Sequence, residues 1–149
     1  PQKLGLVKHE TVYFNVLVGA ICNESIVKSI FGLHDQKVVD KVEESISLMK
    51  LIDKIDSPVK HLSGGQQRRV AIARTMAQGA KLILADEFLS ELDDKTADTV
   101  WNVMHDYVKA NQITLIIVEH NIERAKLADR CFKLERSENS ISILVEVEK

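Results

Sequence analysis

The sequence predicts an α/β protein in which a parallel sheet lies beside a separate helical part. Two short apolar runs, 82–85 and 113–118, have the length of strands. Helical patterns over 66–78 and 94–110 precede them, and this alternation is typical of a parallel sheet covered by helices. The second run is mostly β-branched, as strands buried on both faces usually are. Upstream, apolar residues recur at helical spacing over 38–49, which indicates an amphipathic helix outside the sheet.

In chain order, residues 1–22 are expected to combine a loop with an apolar stretch. The helix that begins near Val38 is expected to continue until the Ser-Pro pair at 57–58 breaks it. A loop over 61–65 then leads into the helix that ends at Gly79, because glycine suits the left-handed cap that closes a helix. The last predicted elements are a short helix at 122–128 and closing strands at 131–134 and 141–147.

Composition limits the classes of protein that the chain can represent. With 149 residues, 45% of them hydrophobic, it is long enough for one domain with a core. Its 20 basic and 22 acidic residues are not gathered into a basic stripe, so we expect no nucleic-acid partner. Cys22 and Cys131 lack a metal-binding or redox spacing, which favours packing residues of a cytosolic protein. The longest apolar stretch, 16–22, is far shorter than the roughly 20 helical residues that cross a bilayer.

Two adjacent carboxylates, Asp86 and Glu87, follow the first predicted strand in the sequence LILADE. Open α/β sheets bind ligands at this end of their strands. A magnesium ion bound to a phosphate chain would use such carboxylates, since Mg²⁺ takes one or two of them with waters and phosphate oxygens. Glu87 could then orient or deprotonate a water that attacks the terminal phosphate. A strand that ends in a solvated acidic turn would give the same pattern.

Two further features are compatible with a polyphosphate ligand. His120 follows the second strand, where its imidazole could contact a terminal phosphate oxygen or the attacking water. Ser63 begins a helix whose first residues are glycines, and such a helix start offers unpaired N–H groups to an anion. A surface or capping histidine and an ordinary serine N-cap remain open as alternatives.

These motifs together resemble those of the ATP-binding cassette (ABC) family of ATPases. LSGGQ at 62–66 is similar to the family's signature motif, and LILADE at 82–87 to its Walker B strand. SELD at 90–93 resembles the D-loop, and VEH at 118–120 the strand of the switch histidine. The segment PQKLGLVKHETVYFNVLVG resembles the stretch that contains the Q-loop, with Gln2 as the Q-loop glutamine. The pattern is most similar to importer ATPases of the phosphonate or amino-acid type.

The resemblance implies a P-loop NTPase-like parallel sheet, represented by its C-terminal portion, with an α-helical signature subdomain. It divides the partial nucleotide-binding domain 1–149 into a Q-loop region (1–21), a helical signature subdomain (22–78) and an α/β core with Walker B, D-loop and switch histidine (79–149). It also implies ATP and Mg²⁺ as cofactors, a second nucleotide-binding domain in a head-to-tail dimer, and transmembrane permease subunits. Such a protein is cytoplasmic and peripheral to the cytoplasmic face of the membrane.

The resemblance also implies roles for single residues. Glu87 and His120 would be catalytic. Asp86 and Gln2 would hold Mg²⁺, partly through water. The residues implied to bind ATP are Gln2, Ser63, Gly64, Gly65, Gln66, Asp86 and Asp93.

The chain departs from the family pattern in two ways. Phe88 and Leu89 stand where the family usually has Pro-Thr, and no G-x-x-x-x-G-K-[ST] loop occurs in the sequence. We therefore expect the chain to be the C-terminal two-thirds of a transporter's nucleotide-binding domain, inactive when isolated. One alternative is a non-catalytic module that lends its LSGGQ face to a partner's ATP site. Another is an ABC-type ATPase of DNA repair or chromosome maintenance, although no heptad arm appears.

Overall fold

A computed structural model of the chain describes residues 4–23, 34–136 and 142–147. The helices are α1 (Val12–Ala20), α2 (Gln36–Leu48), α3 (Gly64–Gln78), α4 (Asp94–Ala110) and α5 (Ile122–Ala125). The strands are β1 (Leu82–Asp86), β2 (Thr114–Val118), β3 (Phe132–Arg136) and β4 (Ser142–Glu146). Within these ranges no helix is both long enough and apolar enough to span a bilayer.

Helices α1, α2 and α3 pack on one another and form the helical part that the sequence predicts. In α2 the predicted apolar spacing is confirmed, because Val42 and Ile46 are fully buried against the neighbouring helices. Helix α3 begins two residues earlier than predicted, at Gly64, and ends at Gly79 in the predicted left-handed conformation (φ 66°).

Helix α1 replaces the loop and apolar stretch that the sequence predicts near the N-terminus. Thr11 caps it, with its hydroxyl accepting a hydrogen bond from the Phe14 N–H at 3.1 Å. The helix lies very close to α3, since a Cβ added at Gly19 would overlap the Arg74 carbonyl oxygen. Glycine at this position therefore allows the two backbones to approach each other.

Helix α2 ends at Leu48, and the prediction that it continues to the Ser-Pro pair at 57–58 is wrong. Lys50 adopts a left-handed conformation (φ 54°), which turns the chain out of the helix. The turn brings Leu51 into the core, where it is fully buried, and its N–H donates to the Ile46 carbonyl at 3.1 Å. The helix therefore ends where the chain turns to bury Leu51, well before it reaches the proline.

Strands β1 and β2 are parallel neighbours, and α4 connects them. Helix α4 has the predicted bounds and buries one face, which includes Val100, Trp101 and Met104. The prediction that β2 is buried on both faces is wrong within the described part of the chain. Strand residues alternate between faces, and only the face turned toward the helices is covered by described residues. The other face exposes four apolar side chains: Leu82, Leu84, Ile116 and Val118.

The two closing strands are confirmed and form a separate antiparallel pair. Strand β3 pairs with β4 so that Leu134 lies opposite Leu144. Helix α5 is shorter than predicted and ends at Ala125. The division of the chain at residues 21 and 78 stays a prediction.

Candidate active site

The side chains of Glu87 and His120 meet at the carboxyl edge of the parallel sheet. Asp86 pairs with Val118 in register, so the two strands end side by side. One residue beyond β1 and two beyond β2, Glu87 Oε1 lies 2.8 Å from His120 Nε2. The glutamate side chain is 39% exposed and that of the histidine 78%. The pair is therefore hydrogen-bonded and open to a ligand from solvent.

The backbone of Glu87 adopts an unusual conformation. Its φ is 47°, in the left-handed region that side-chain-bearing residues rarely occupy. Such a conformation costs on the order of 1–3 kcal/mol and persists only where the surroundings hold it. Here the Glu87 N–H donates to the Val118 carbonyl at 3.1 Å, and its carbonyl accepts from the Ser90 N–H at 2.9 Å. Backbone strain of this kind is common in active sites.

Local hydrogen bonds fix the segment around His120. Glu119 Oε1 accepts from the Asn121 N–H at 2.9 Å. Asn121 in turn caps α5, since its Oδ1 accepts from the N–H groups of Glu123 and Arg124 at 3.0 and 3.2 Å. The histidine thus lies between two residues whose positions are set, with its ring directed at Glu87.

Asp86 is the last residue of β1, and its carboxylate is exposed. It shares the uncovered face of the sheet with Leu82 and Leu84. No group of three or more acidic, histidine or cysteine side chains among the described residues could hold a metal ion alone. One exposed carboxylate does fit Mg²⁺ that takes its other ligands from water and phosphate oxygens. Gln2, the other predicted magnesium ligand, lies outside the described residues.

Ser63 forms a complete capping box at the start of α3. Its hydroxyl accepts from the Gln66 N–H at 3.3 Å, and Gln66 Oε1 accepts from the Ser63 N–H at 2.9 Å. The serine N-cap considered above is therefore present. It does not exclude anion binding, because the N–H groups of Gly64 and Gly65 lie in the first turn, where no intrahelical acceptor exists.

The start of α3 contacts the loop that follows Glu87. A Cβ added at Gly65 would lie 3.3 Å from Leu92 Cδ2 and 3.6 Å from the Glu91 carbonyl oxygen. At Gly64 the nearest group would be Glu91 Oε2, at 3.8 Å. The structure therefore brings the predicted helix start and the predicted strand-end carboxylates into one continuous region.

Phe88 and Leu89, which replace the usual Pro-Thr, are core residues. They are 7% and 2% exposed, respectively. The Phe88 ring lies 6.4 Å from the Trp101 ring, centroid to centroid, at an angle of 34°. Two buried side chains thus anchor the loop immediately after Glu87.

Asp93 is the N-cap of α4. Its Oδ1 accepts a hydrogen bond from the Thr96 N–H at 3.0 Å, and hydrogen bonding by Thr96 holds the pKa of the Asp93 carboxyl below its usual range. The carboxylate therefore already caps its own helix. A contact between Asp93 and a second subunit would be made in addition to this hydrogen bond.

We expect Asp93→Asn to change how stability depends on pH. Because the pKa in the folded state is lowered, the charge contributes stability above the unfolded-state pKa and loses it as the pH falls through the folded-state value. The variant keeps an acceptor oxygen but cannot titrate. The difference in melting temperature between variant and wild type should therefore be constant well above the unfolded-state pKa and should narrow as the pH is lowered from 7 to 3. Asp129→Asn, at an exposed position, is the control. A constant difference across this range would contradict the prediction.

Arg68 is the residue of this region that the sequence analysis missed. It is only 5% exposed, and its guanidinium contacts the loop after Glu87. The sequence does contain a sign of its importance. Arg68 precedes Ile72 by four residues and so lies on the buried face of the helix, where a charged side chain requires partners.

The described residues thus define an α/β cassette whose polar groups gather at the carboxyl edge of a parallel sheet, next to a serine-glycine helix start. Residues 1–90 match the family model described as ABC transporter. The chain therefore belongs to the ABC transporter family.

Individual relatives agree with this assignment. The chain is 38% identical over 125 residues to the phosphonates import ATP-binding protein PhnC 1 of Halalkalibacterium halodurans, an alignment that covers 84% of this chain and 49% of that protein. It is 39% identical over 116 residues to the lipoprotein-releasing system ATP-binding protein LolD of Nitrobacter hamburgensis, which covers 78% of this chain and 50% of that one. The chain thus spans about half the length of these curated relatives.

Solved structures show the same fold. The dimeric structure of MJ0796, a bacterial ABC transporter cassette, matches with a TM-score of 0.74 at 26% identity over 89% of this chain and 55% of that one. The ADP conformation of MJ1267, an ATP-binding cassette of an ABC transporter, matches with a TM-score of 0.66 at 29% identity over 88% and 53%. The predicted fold class and family resemblance are confirmed.

Proposed function

We propose that the chain is part of the ATP-binding and ATP-hydrolysing subunit of an ABC transporter. The observation that carries this proposal is the 2.8 Å contact between Glu87 and His120 at the ends of neighbouring parallel strands. Membership of the family and the ATP-binding names of the relatives support it. We use the term complete subunit for this chain together with the segment that carries the P-loop, which we place outside the 149 residues.

In this proposal Glu87 is the catalytic residue that acts on water. Its exposed carboxylate can accept a proton from a water that attacks the γ-phosphate, as a general base does. His120 orients that carboxylate through the observed hydrogen bond and contacts the γ-phosphate when ATP is bound. The left-handed backbone of Glu87 sets the direction in which the side chain leaves the strand.

Asp86 and Gln2 are the proposed magnesium ligands, partly through water. When bound, Mg²⁺ neutralises charge on the phosphate oxygens. Asp86 directly precedes Glu87 and has an exposed carboxylate of its own. If Asp86 holds the metal, the Glu87 carboxylate can keep its hydrogen bond to His120.

The start of α3 is the proposed contact to ATP on a second nucleotide-binding domain. Ser63, Gly64 and Gly65 present a helix N-terminus and its partial positive charge, which suits a γ-phosphate. Gln66 holds this turn in shape through the capping box. A head-to-tail dimer would place each helix start against the partner's nucleotide, with Asp93 at the contact between the two sites. The dimeric structure of the related cassette MJ0796 supports this arrangement.

The proposal includes transmembrane permease subunits as partners and a position on the cytoplasmic face of the membrane. The names of the relatives support it, since PhnC is a phosphonates import protein and LolD belongs to a lipoprotein-releasing system. The helical insert around residues 22–60 is the proposed docking lobe for the permease. In this arrangement the permease, rather than this chain, selects the solute.

Residues 1–149 alone are expected to bind Mg-ATP weakly or not at all. They lack the backbone cradle and lysine that a P-loop gives to the β- and γ-phosphates. Titration calorimetry should detect Mg-ATP binding to the complete subunit and none in the micromolar range to the isolated chain, with circular dichroism as the control for folding. Micromolar binding by the isolated, folded chain would contradict the assignment of the P-loop to another segment.

A further inference from the structure

We propose that Arg68 is a positioning residue that couples the signature helix α3 to the catalytic loop at 87–91. The inference rests on the proposed function, because it concerns how Glu87 is held for ATP hydrolysis. Arg68 contacts the backbone of Glu87 and not its carboxylate. Its proposed effect on the reaction is therefore indirect, through the position of Glu87.

Arg68 contacts three residues of this loop, Glu87, Ser90 and Glu91. Nη2 donates to Ser90 Oγ at 2.8 Å and lies 3.8 Å from Glu91 Oε2. Nη1 donates to the Glu87 carbonyl oxygen at 3.5 Å. The side chain is 6% exposed, so these bonds lie in a region largely closed to water, where electrostatic interactions are stronger.

The loop has the kind of backbone that needs such support. Glu87 and Glu91 both have positive φ, 47° and 66°. The Glu87 carbonyl that receives Arg68 also accepts from the Ser90 N–H, which closes the turn. Arg68 therefore holds both ends of the turn that directs the Glu87 side chain to His120.

The helix that carries Arg68 also carries the proposed contact to the second nucleotide. Arg68 lies on the turn after Ser63, and Gly65 packs against the Glu91 carbonyl, within the loop, and against Leu92, the residue that follows it. A displacement of the helix start is therefore transmitted to the loop along two routes, the arginine and the glycine contact. Binding of ATP at the helix start would in this way align the carboxylate that serves the subunit's own nucleotide.

Lysine is the informative replacement. It keeps the positive charge, but its single ammonium cannot reproduce a planar fork that reaches two acceptors at once. The adjacent Arg69 supplies a matched control, because its Nη1 donates to the carbonyls of Met49 and Lys50, at 2.7 and 3.3 Å, and not to the loop.

The test measures steady-state ATP hydrolysis by the complete subunit. Arg68→Lys is expected to lower kcat on the order of 10- to 100-fold, as small misplacements of catalytic groups do, with KM for ATP changed less than about 2-fold. Arg69→Lys should leave kcat within about 2-fold of the wild type. In a Glu87→Gln background Arg68→Lys should cost nothing further, because its effect passes through Glu87. The same loss in both backgrounds, or a rise in KM with unchanged kcat, would overturn the coupling.

Amide hydrogen exchange gives a readout independent of activity. Arg68→Lys should speed exchange at the Ser90 N–H, which bonds the Glu87 carbonyl, and Arg69→Lys should not. Unchanged exchange in the lysine variant overturns the positioning role. A wild-type complete subunit that failed to hydrolyse ATP would instead overturn the proposed function.

Discussion

Replacement of Glu87 by glutamine in the complete subunit is expected to lower ATP turnover by roughly 10²–10⁴-fold, the usual contribution of a general base. Glutamine has nearly the same shape and can still hydrogen-bond His120, but its amide cannot take a proton from water. Binding of Mg-ATP should be unaffected, because the carboxylate assigned to the metal is that of Asp86. Without hydrolysis the ATP-bound dimer should accumulate.

Turnover is measured by phosphate release, and the dimer by light scattering with and without Mg-ATP. Glu123→Gln serves as the matched control, since this glutamate is exposed on α5 and its Oε1 lies 3.6 Å from Lys126 Nζ, a surface pair on α5 itself. Wild-type turnover in Glu87→Gln would show that another residue activates the water.

Replacement of Ser63 by arginine is expected to abolish ATP-dependent dimerisation and to lower turnover on the order of 100-fold, as loss of a transition-state contact does. The new side chain places bulk and positive charge at the helix start that is proposed to meet the partner's γ-phosphate. It also removes the hydroxyl that caps Gln66, so two effects must be separated.

Ser63→Ala separates them, because it removes the cap without adding bulk. Loss of a serine cap typically costs about 1 kcal/mol of stability, so alanine should lower the melting temperature while dimerisation persists. Dimers are most readily counted in a Glu87→Gln background, where ATP is retained. If Ser63→Arg formed such dimers normally, the assignment of this helix start to the dimer contact would be wrong.

Much of the fold was predictable because local patterns and tertiary packing agree. Helix α4 has the predicted bounds, since its apolar face and its Asp93 cap act together. Helix α1 was not recognised. Val12 and Val16 lie on its buried face, but Phe14 and Val18 on the exposed face are apolar too, so the sequence shows no amphipathic period.

The positions of the strands were easier to predict than the degree to which each face of the sheet is exposed. The residues of β2 are apolar on both sides, but which elements cover each side is a property of the packing and not of the strand. Within the described part of the chain, Ile116 remains 54% exposed, whereas Leu115 packs against the core.

The candidate site was predicted in its positions but not in its geometry. Strand periodicity placed Glu87 and His120 at strand ends, and parallel pairing then brought them within hydrogen-bonding distance. The left-handed turn at Glu87 and the position of the Arg68 guanidinium depend on contacts between α3 and the loop, which are remote in sequence. No local pattern contains that information.

The packing of Phe88 on Trp101 gives the site an optical reporter. Trp101 is the single tryptophan of this sequence, is 9% exposed, and contacts the residue that directly follows Glu87. Indole emission depends on local polarity and on nearby groups, so a movement of the loop that shifts the Phe88 ring also changes the environment of the indole. The intrinsic fluorescence of these 149 residues therefore reports on the segment next to Glu87, the proposed catalytic residue, without any added label.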